Sequence, residues 1–236
     1  MKRRALIIGG AGAALAASAG GLALQRGWSP WSAAYAEGVD VSHHQGPIDW
    51  RALAQTSVRF AYLKASEGAE HVDTRFAFNW REAKAAGLLR GAYHFFTLCR
   101  PGALQARHFL SQGVHETGAL PPALDVEHKG PCRQGPTMAD VVGEIRAFLD
   151  RVQAALGIRP LIYTTREFHD LHLKNAFSEE RFWLRSLFAP PRFRQRQWVI
   201  WQHHNRARRQ GVSGPVDLNS FRGDHAALMA FAGLTS

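Results

Sequence analysis

The sequence predicts an α/β fold in which parallel strands close into an irregular barrel, and three observations carry that class. After residue 36, short apolar runs rich in β-branched and aromatic residues alternate with amphipathic stretches. That is the pattern of strands buried on both faces and joined by helical crossovers. The runs are numerous enough to close a ring. No glycine-rich phosphate loop follows the first run, which disfavours an open Rossmann-like sheet.

In chain order, strands are expected at Gly38–Ser42, Arg59–Ala65, Leu89–Phe96, Ala123–Glu127, Pro160–Thr164, Phe182–Arg185, Trp198–Gln202 and Val216–Ser220. Between the early ones lie helical stretches. Asp73 can cap a helix that runs to Ala86 and stops at Gly87. Leu104–Val114 and Met138–Leu156 show helical spacing, the latter ended by Gly157, and a short helix follows Thr165. The later connections differ. Pro190-Pro191 and the Arg-rich stretch 192–196 precede strand seven, and a His/Arg-rich stretch with a Gly-x-x-Gly turn precedes strand eight. Helices are therefore expected in the first five repeats and not afterwards.

The N-terminus reads as an export signal. Lys2-Arg3-Arg4 is followed by an uncharged, apolar stretch from Ala5 to Leu24. Ala17-Ser18-Ala19 and Ala34-Tyr35-Ala36 both fit small-x-small cleavage, and Arg3-Arg4 leaves a twin-arginine route open. An uncleaved anchor is the alternative, because the stretch is nearly long enough to span a bilayer. Residues 1–36 are thus assigned to the signal or anchor and residues 37–236 to one domain. The formal charge is +10; without 1–36, 25 basic and 19 acidic residues leave +6. That balance suits nucleic acid, anionic lipid or an acidic wall polymer without choosing among them.

Only Cys99 and Cys132 are present, each just beyond an expected strand. In an exported chain an even count favours a disulfide, here closing a loop of roughly 33 residues and contributing about 3–4 kcal/mol on a chain-entropy basis. Two unpaired small residues are the plainer reading.

Active sites of parallel barrels form where the C-terminal strand ends gather. Here those ends carry acids and aromatics: Asp40, Glu67, Tyr93 with His94, Asp125 with Glu127, Trp201, and Asp217. Two apart on one strand, Asp125 and Glu127 point to the same side, with Cα atoms about 6–7 Å apart. Glycoside cleavage needs one group to protonate the leaving oxygen and another to meet positive charge at the anomeric carbon. Crowding buried carboxylates raises at least one pKa, as a general acid at neutral pH requires. A lone D-x-E triplet is otherwise an ordinary solvated strand end. His43, His44 and His94 raise the question of a metal, but hydrogen bonding around the acids is the reading adopted.

Several motifs, in order over 38–221, resemble the glycoside hydrolase family 25 lysozymes, or Chalaropsis-type muramidases. They are GVDVSHHQG at 38–46, AYLKASEG at 61–68, GAYHFF at 91–96, ALDVE at 123–127, YT at 163–164, FWL at 182–184, IWQ at 200–202 and VDLNSF at 216–221. The resemblance implies a TIM-like (β/α)5(β)3 barrel, in a single domain, that cleaves the β-1,4 bond between N-acetylmuramic acid and N-acetylglucosamine. Carried over, Glu127 is expected to be the general acid/base and Asp125 its partner in orienting the substrate's N-acetyl group. Asp40 and Asp217 match the remaining site acids, while Tyr93, Lys64, Glu67 and Trp201 match cleft-lining positions. Two departures stand out: Arg185 where a small residue is usual, and His203 where Tyr is commoner.

The expected partner is the glycan of peptidoglycan, with no cofactor, no metal and no nucleic acid, and with membrane contact only if the N-terminal segment is retained. A monomer is expected. A non-catalytic wall-binding barrel is the alternative from another class, disfavoured because all four site acids are present. A nucleic-acid-binding protein is disfavoured by the export signal and the lack of an aromatic-interleaved basic patch.

Overall fold

A computed structural model describes residues 35–128, 140–187 and 189–234. Its strands are β1 (Ala36–Val41), β2 (Val58–Glu67), β3 (His71–Val72), β4 (Leu89–Phe95), β5 (Ala123–Val126), β6 (Leu161–Thr164), β7 (Phe182–Arg185), β8 (Trp198–Ala207) and β9 (Val216–Phe221). The helices are α1 (Trp50–Ala54), α2 (Phe76–Ala85), α3 (Gly102–Leu110), α4 (Val141–Leu156), α5 (Arg166–Phe168) and α6 (His225–Phe231). The ring runs β1-β9-β8-β7-β6-β5-β4-β2 and closes through β1–β2 pairing, with β3 added outside as a short antiparallel flap on β2.

Helices α1 to α5 follow the first five barrel strands, and among the described residues no helix separates β7, β8 and β9, so the irregular α/β barrel is as expected. One direction differs. β9 runs antiparallel to both β8 and β1, whereas a parallel eighth strand was anticipated. The cause is the missing crossover: β8 extends to Ala207 and folds directly back as a hairpin, with Ala207 opposite Val216.

Local chemistry explains most boundaries. In α4 the residues Val141, Ile145, Phe148, Leu149 and Val152 form one buried stripe. Asp140 accepts from the Gly143 N–H at 2.7 Å, and Gly157, at φ 70°, ends the helix in the left-handed region. Met138, its anticipated start, lies outside the described residues. α3 is shorter than expected and begins at Gly102, where an added Cβ would collide with the Glu144 carbonyl oxygen; glycine permits the close α3–α4 approach. Asp73 is not the side-chain cap of α2. It lies before the helix, accepting from the Arg75 N–H at 2.9 Å and from both the backbone N–H and the ring of His43. Two short helices were not anticipated, α1 and α6.

Two apolar layers result. The larger lies between the barrel's outer wall and the helices. The inner one comprises Phe60, Tyr62, Ala123, Leu161, Trp183, Ile200 and Phe221, with Leu228 of α6 and Ala232 just after it packed in. A Cβ on Gly38 or Gly91 would stand 2.3 or 2.4 Å from the rings of Phe60 and Tyr62, so both glycines make room for aromatics inside the ring. Among the described residues no helix is long and apolar enough to cross a membrane. Residues 1–34 and Cys132 lie outside the described residues, so the leader and the disulfide remain expectations.

Candidate active site

Above the inner apolar layer, every strand of the ring contributes at least one polar side chain: Asp40, Lys64, Tyr93, Asp125, Tyr163, Arg185, Gln202 and Asp217. Strand pleating makes such a layer, since alternate residues face inward. With Glu67, Glu127, His44, Asn205 and Trp183 these side chains line an open cleft of about 790 Å3.

Asp217 reaches this cleft for a reason the sequence reading did not contain. It stands near the N-terminal end of β9, but that strand is reversed, so its start lies beside the C-terminal ends of its neighbours. Asp40 and Asp217 are direct partners in the β1–β9 register. Burial and the Asp40 charge push the Asp217 carboxyl up to about 9, and it hydrogen-bonds Asp40. Asp40 is the better-supplied acceptor: its Oδ2 takes Gln202 Nε2 at 3.0 Å and Asn219 Nδ2 at 2.7 Å. Burial raises Asp40 too, but these donors and the Asp217 contact oppose it. The proton of the pair therefore resides on Asp217.

The network extends outward. Tyr163 Oη donates to Gln202 Oε1 at 2.9 Å, and Trp183 Nε1 donates to Asn219 Oδ1 at 2.8 Å. Both amides are thereby fixed in the orientation that turns their NH2 groups to Asp40.

Four places round the ring from β9, Asp125 closes β5's contribution, and Glu127 follows just past the strand. Burial first, then the charges of Glu127 and Asp40, push Asp125 well above the usual carboxylate range. Its Oδ1 is buried and accepts no hydrogen bond. An orphan oxygen of this kind at a cleft wall is a place for a ligand's donor.

Lys64 and Glu67 face the cleft together because of a bulge. The β2–β4 register slips between Lys64 and Ser66, so Glu67 pairs with Phe95 and returns to the inner side. Lys64 Nζ donates to Glu67 Oε2 at 2.5 Å and lies 4.8 Å from the Phe95 ring centre. Tyr93 is held strongly protonated by burial and by the charges of Asp40 and Asp125.

Two anticipated placements are corrected. Trp201 is fully buried and does not line the cleft; it belongs to the outer layer and donates to the Ser186 carbonyl at 2.6 Å. Ile200 and Gln202 take the inward positions of β8, which leaves Trp201 facing out. Trp183, Tyr163, Gln202 and Asn205 line the cleft and were not singled out for it. His94 also lies behind the barrel, between Ser66 Oγ and Gln105 Oε1 and stacked on Phe148, where burial lowers it to about 3. His44 does line the cleft, and His43 is anchored by Asp73.

The comparisons with known proteins agree with this architecture. A model of the glycosyl hydrolases family 25 matches residues 39–212. Lysozyme M1 of Streptomyces globisporus is 35% identical over 217 residues, covering 85% of this chain and 72% of that protein. A family 25 glycosyl hydrolase from Bacillus anthracis superposes with TM-score 0.77 at 34% identity, covering 84% of this chain and 94% of that one. The lysozyme from Streptomyces coelicolor gives 0.75 at 32%, covering 86% and 100%. With the matched segment running from the first strand of the barrel into the β8–β9 hairpin, this chain belongs to the glycosyl hydrolases of family 25.

Proposed function

We propose that this glycoside hydrolase is an exported lysozyme that cuts the β-1,4 bond between N-acetylmuramic acid and N-acetylglucosamine in peptidoglycan. The observation that carries the reading is the Asp125–Glu127 pair. Both line one cleft, and Asp125 has an orphan buried oxygen and a raised affinity for a proton. The similarity to Lysozyme M1 supplies the substrate class.

Glu127 acts as the general acid/base. Five carboxyls line this cleft, and Glu67 is paired with Lys64; of the other four not all can be ionised at once, so Asp217 holds one proton and the Asp125–Glu127 pair another. In the empty cleft the second proton favours Asp125. An acetamido N–H donated to Asp125 Oδ1 favours the ionised Asp125, which moves that proton to Glu127 beside the scissile oxygen. Substrate binding thus arms the acid. The acetamido oxygen then attacks the anomeric carbon as the glycosidic bond breaks to the oxygen that Glu127 protonates, and water opens the resulting ring with Glu127 as base. Asp40 and Asp217 bind the sugar and keep negative charge near the developing cation, and Tyr93, Lys64 and Glu67 form the remaining wall.

Two measurements test this. Mass spectrometry of fragments released from defined peptidoglycan should show muramic acid at the new reducing end; glucosamine there would refute the bond assignment. NMR of the first product should show retained anomeric configuration, as assistance by the acetamido group requires. Inversion would mean direct attack by water.

A further inference from the structure

The cleft has two basic side chains of the lysine and arginine type in its lining, and they are used differently. Lys64 is committed to Glu67 at 2.5 Å. Arg185, at the end of β7, is half-buried and lines the same cleft. Among the described residues its side chain makes no hydrogen bond, ion pair or ring contact. A guanidinium carries five donors in a planar fork suited to a carboxylate, and leaving it unpaired in a partly desolvated wall is costly. Its charge acts through space on Asp40 and Asp217, but Asp40 takes its hydrogen bonds from the amides of Gln202 and Asn219 and from Asp217, not from the guanidinium, whose donors stay directed at the cleft.

Position sharpens the point. β7 lies four places round the ring from β2, so Arg185 and the Lys64–Glu67 pair occupy opposite walls. The acids Asp125 and Asp217 lie on the other diameter, β5 against β9. A sugar held between the acids has Arg185 at its flank. On the reading above, the sugar that carries a charged arm is muramic acid, whose lactyl ether ends in a carboxyl group, either free or extended by peptide.

We propose that Arg185 is a specificity-determining residue that binds a carboxylate on the lactyl arm of the muramic acid, and so makes this enzyme prefer anionic glycan over neutral glycan of the same backbone. The inference rests on the proposed reaction but adds to it.

The test compares three glycan preparations: strands with intact stem peptides, amidase-stripped strands with free lactyl carboxylates, and stripped strands whose carboxylates are capped as methylamides. The parent enzyme should cleave stripped strands with kcat/KM about tenfold to a hundredfold above capped strands, the range of one charge-assisted hydrogen bond. Arg185→Met should lose that margin, so that its kcat/KM on stripped strands falls to that on capped ones. Arg185→Lys should recover part of it. If intact strands lose as much in Arg185→Met as stripped ones, the peptide carboxylates serve equally; if only stripped strands lose, the lactyl carboxylate is the ligand. Equal rates of the parent on charged and capped strands overturn the proposal, whether or not the variants fold. So does an equal loss by Arg185→Met on both with a displaced pH profile, which would mean that Arg185 acts on the site acids instead. Absence of turnover on every preparation would remove the proposed reaction itself.

Discussion

Asp40 and Asp217 face each other across the antiparallel β1–β9 pair and share one proton, which Asp217 holds. The arrangement has an energetic consequence away from any substrate. Asp217 is raised from 3.8 to about 9, so between those values the folded chain binds a proton that the unfolded chain has released. Its contribution to stability is complete below about pH 4 and declines as pH rises towards 9.

Asp217→Asn keeps a donor towards Asp40 and removes the titration. The variant should match the parent's Tm near pH 4 and exceed it by several degrees at pH 8, since 1 kcal/mol corresponds to about 2–4 °C in a domain of this size. The difference between variant and parent is the quantity to follow. His94 and His203, lowered by burial to about 3 and about 4, destabilise both proteins equally as pH falls below 6.5. A Tm difference independent of pH would show that Asp217 is not the proton carrier.

Replacing Glu127 by Gln should cut turnover of peptidoglycan by at least about a thousandfold while leaving Tm within a few degrees, because an uncharged isostere relieves crowding and removes the proton donor. Asp125→Asn should be less severe on kcat and should abolish the rate advantage that the acetamido group confers. Concretely, the parent should discriminate strongly against N-deacetylated strands, and Asp125→Asn should discriminate weakly. Near-native turnover by Glu127→Gln would end the acid/base assignment.

Much of this site was legible in the sequence because its parts are local. Asp40, Tyr93, Asp125 and Glu127 sit at the ends of short apolar runs, and strand ends are where a barrel opens. The misplacements have physical reasons. Phe182–Leu184 and Trp198–Trp201 are apolar at every position, so period-two alternation does not reveal which face is inward. Gln202 was the available signal: one polar residue in line with Ile200 puts Trp201 on the outside. Strand direction is likewise absent from local pattern, and Asp217 entered the site from a reversed strand. Glu67 entered through a bulge, which is a property of pairing between strands.

Gly91 offers a test of the inner layer. A Cβ there would stand 2.4 Å from the Tyr62 ring, whose hydroxyl is tied to the Pro121 carbonyl at 2.9 Å. The ring cannot swing aside without losing that bond, so Gly91→Ala should cost about 1–3 kcal/mol by overpacking. Adding Tyr62→Leu should recover part of the loss. Denaturant melts of the two variants check this, and additive losses would mean that the contact does not govern the site.

The boundary of the mature chain can be argued from β1. Ala36 is paired with Phe221, its N–H donates to the Gly223 carbonyl at 2.9 Å, and the Tyr35 ring meets Trp198 edge-on at 6.2 Å. Cleavage after Ala36 would remove all three contacts and put a charged amine at Glu37, inside a strand; cleavage after Ala19 keeps them. On the proposed reading of residues 1–36 as an export leader, N-terminal sequencing of secreted material should find a start upstream of Tyr35. A start at Glu37 would mean that the ring closes without its first residue, and a chain beginning there should then melt at the same temperature as one beginning at Gly20.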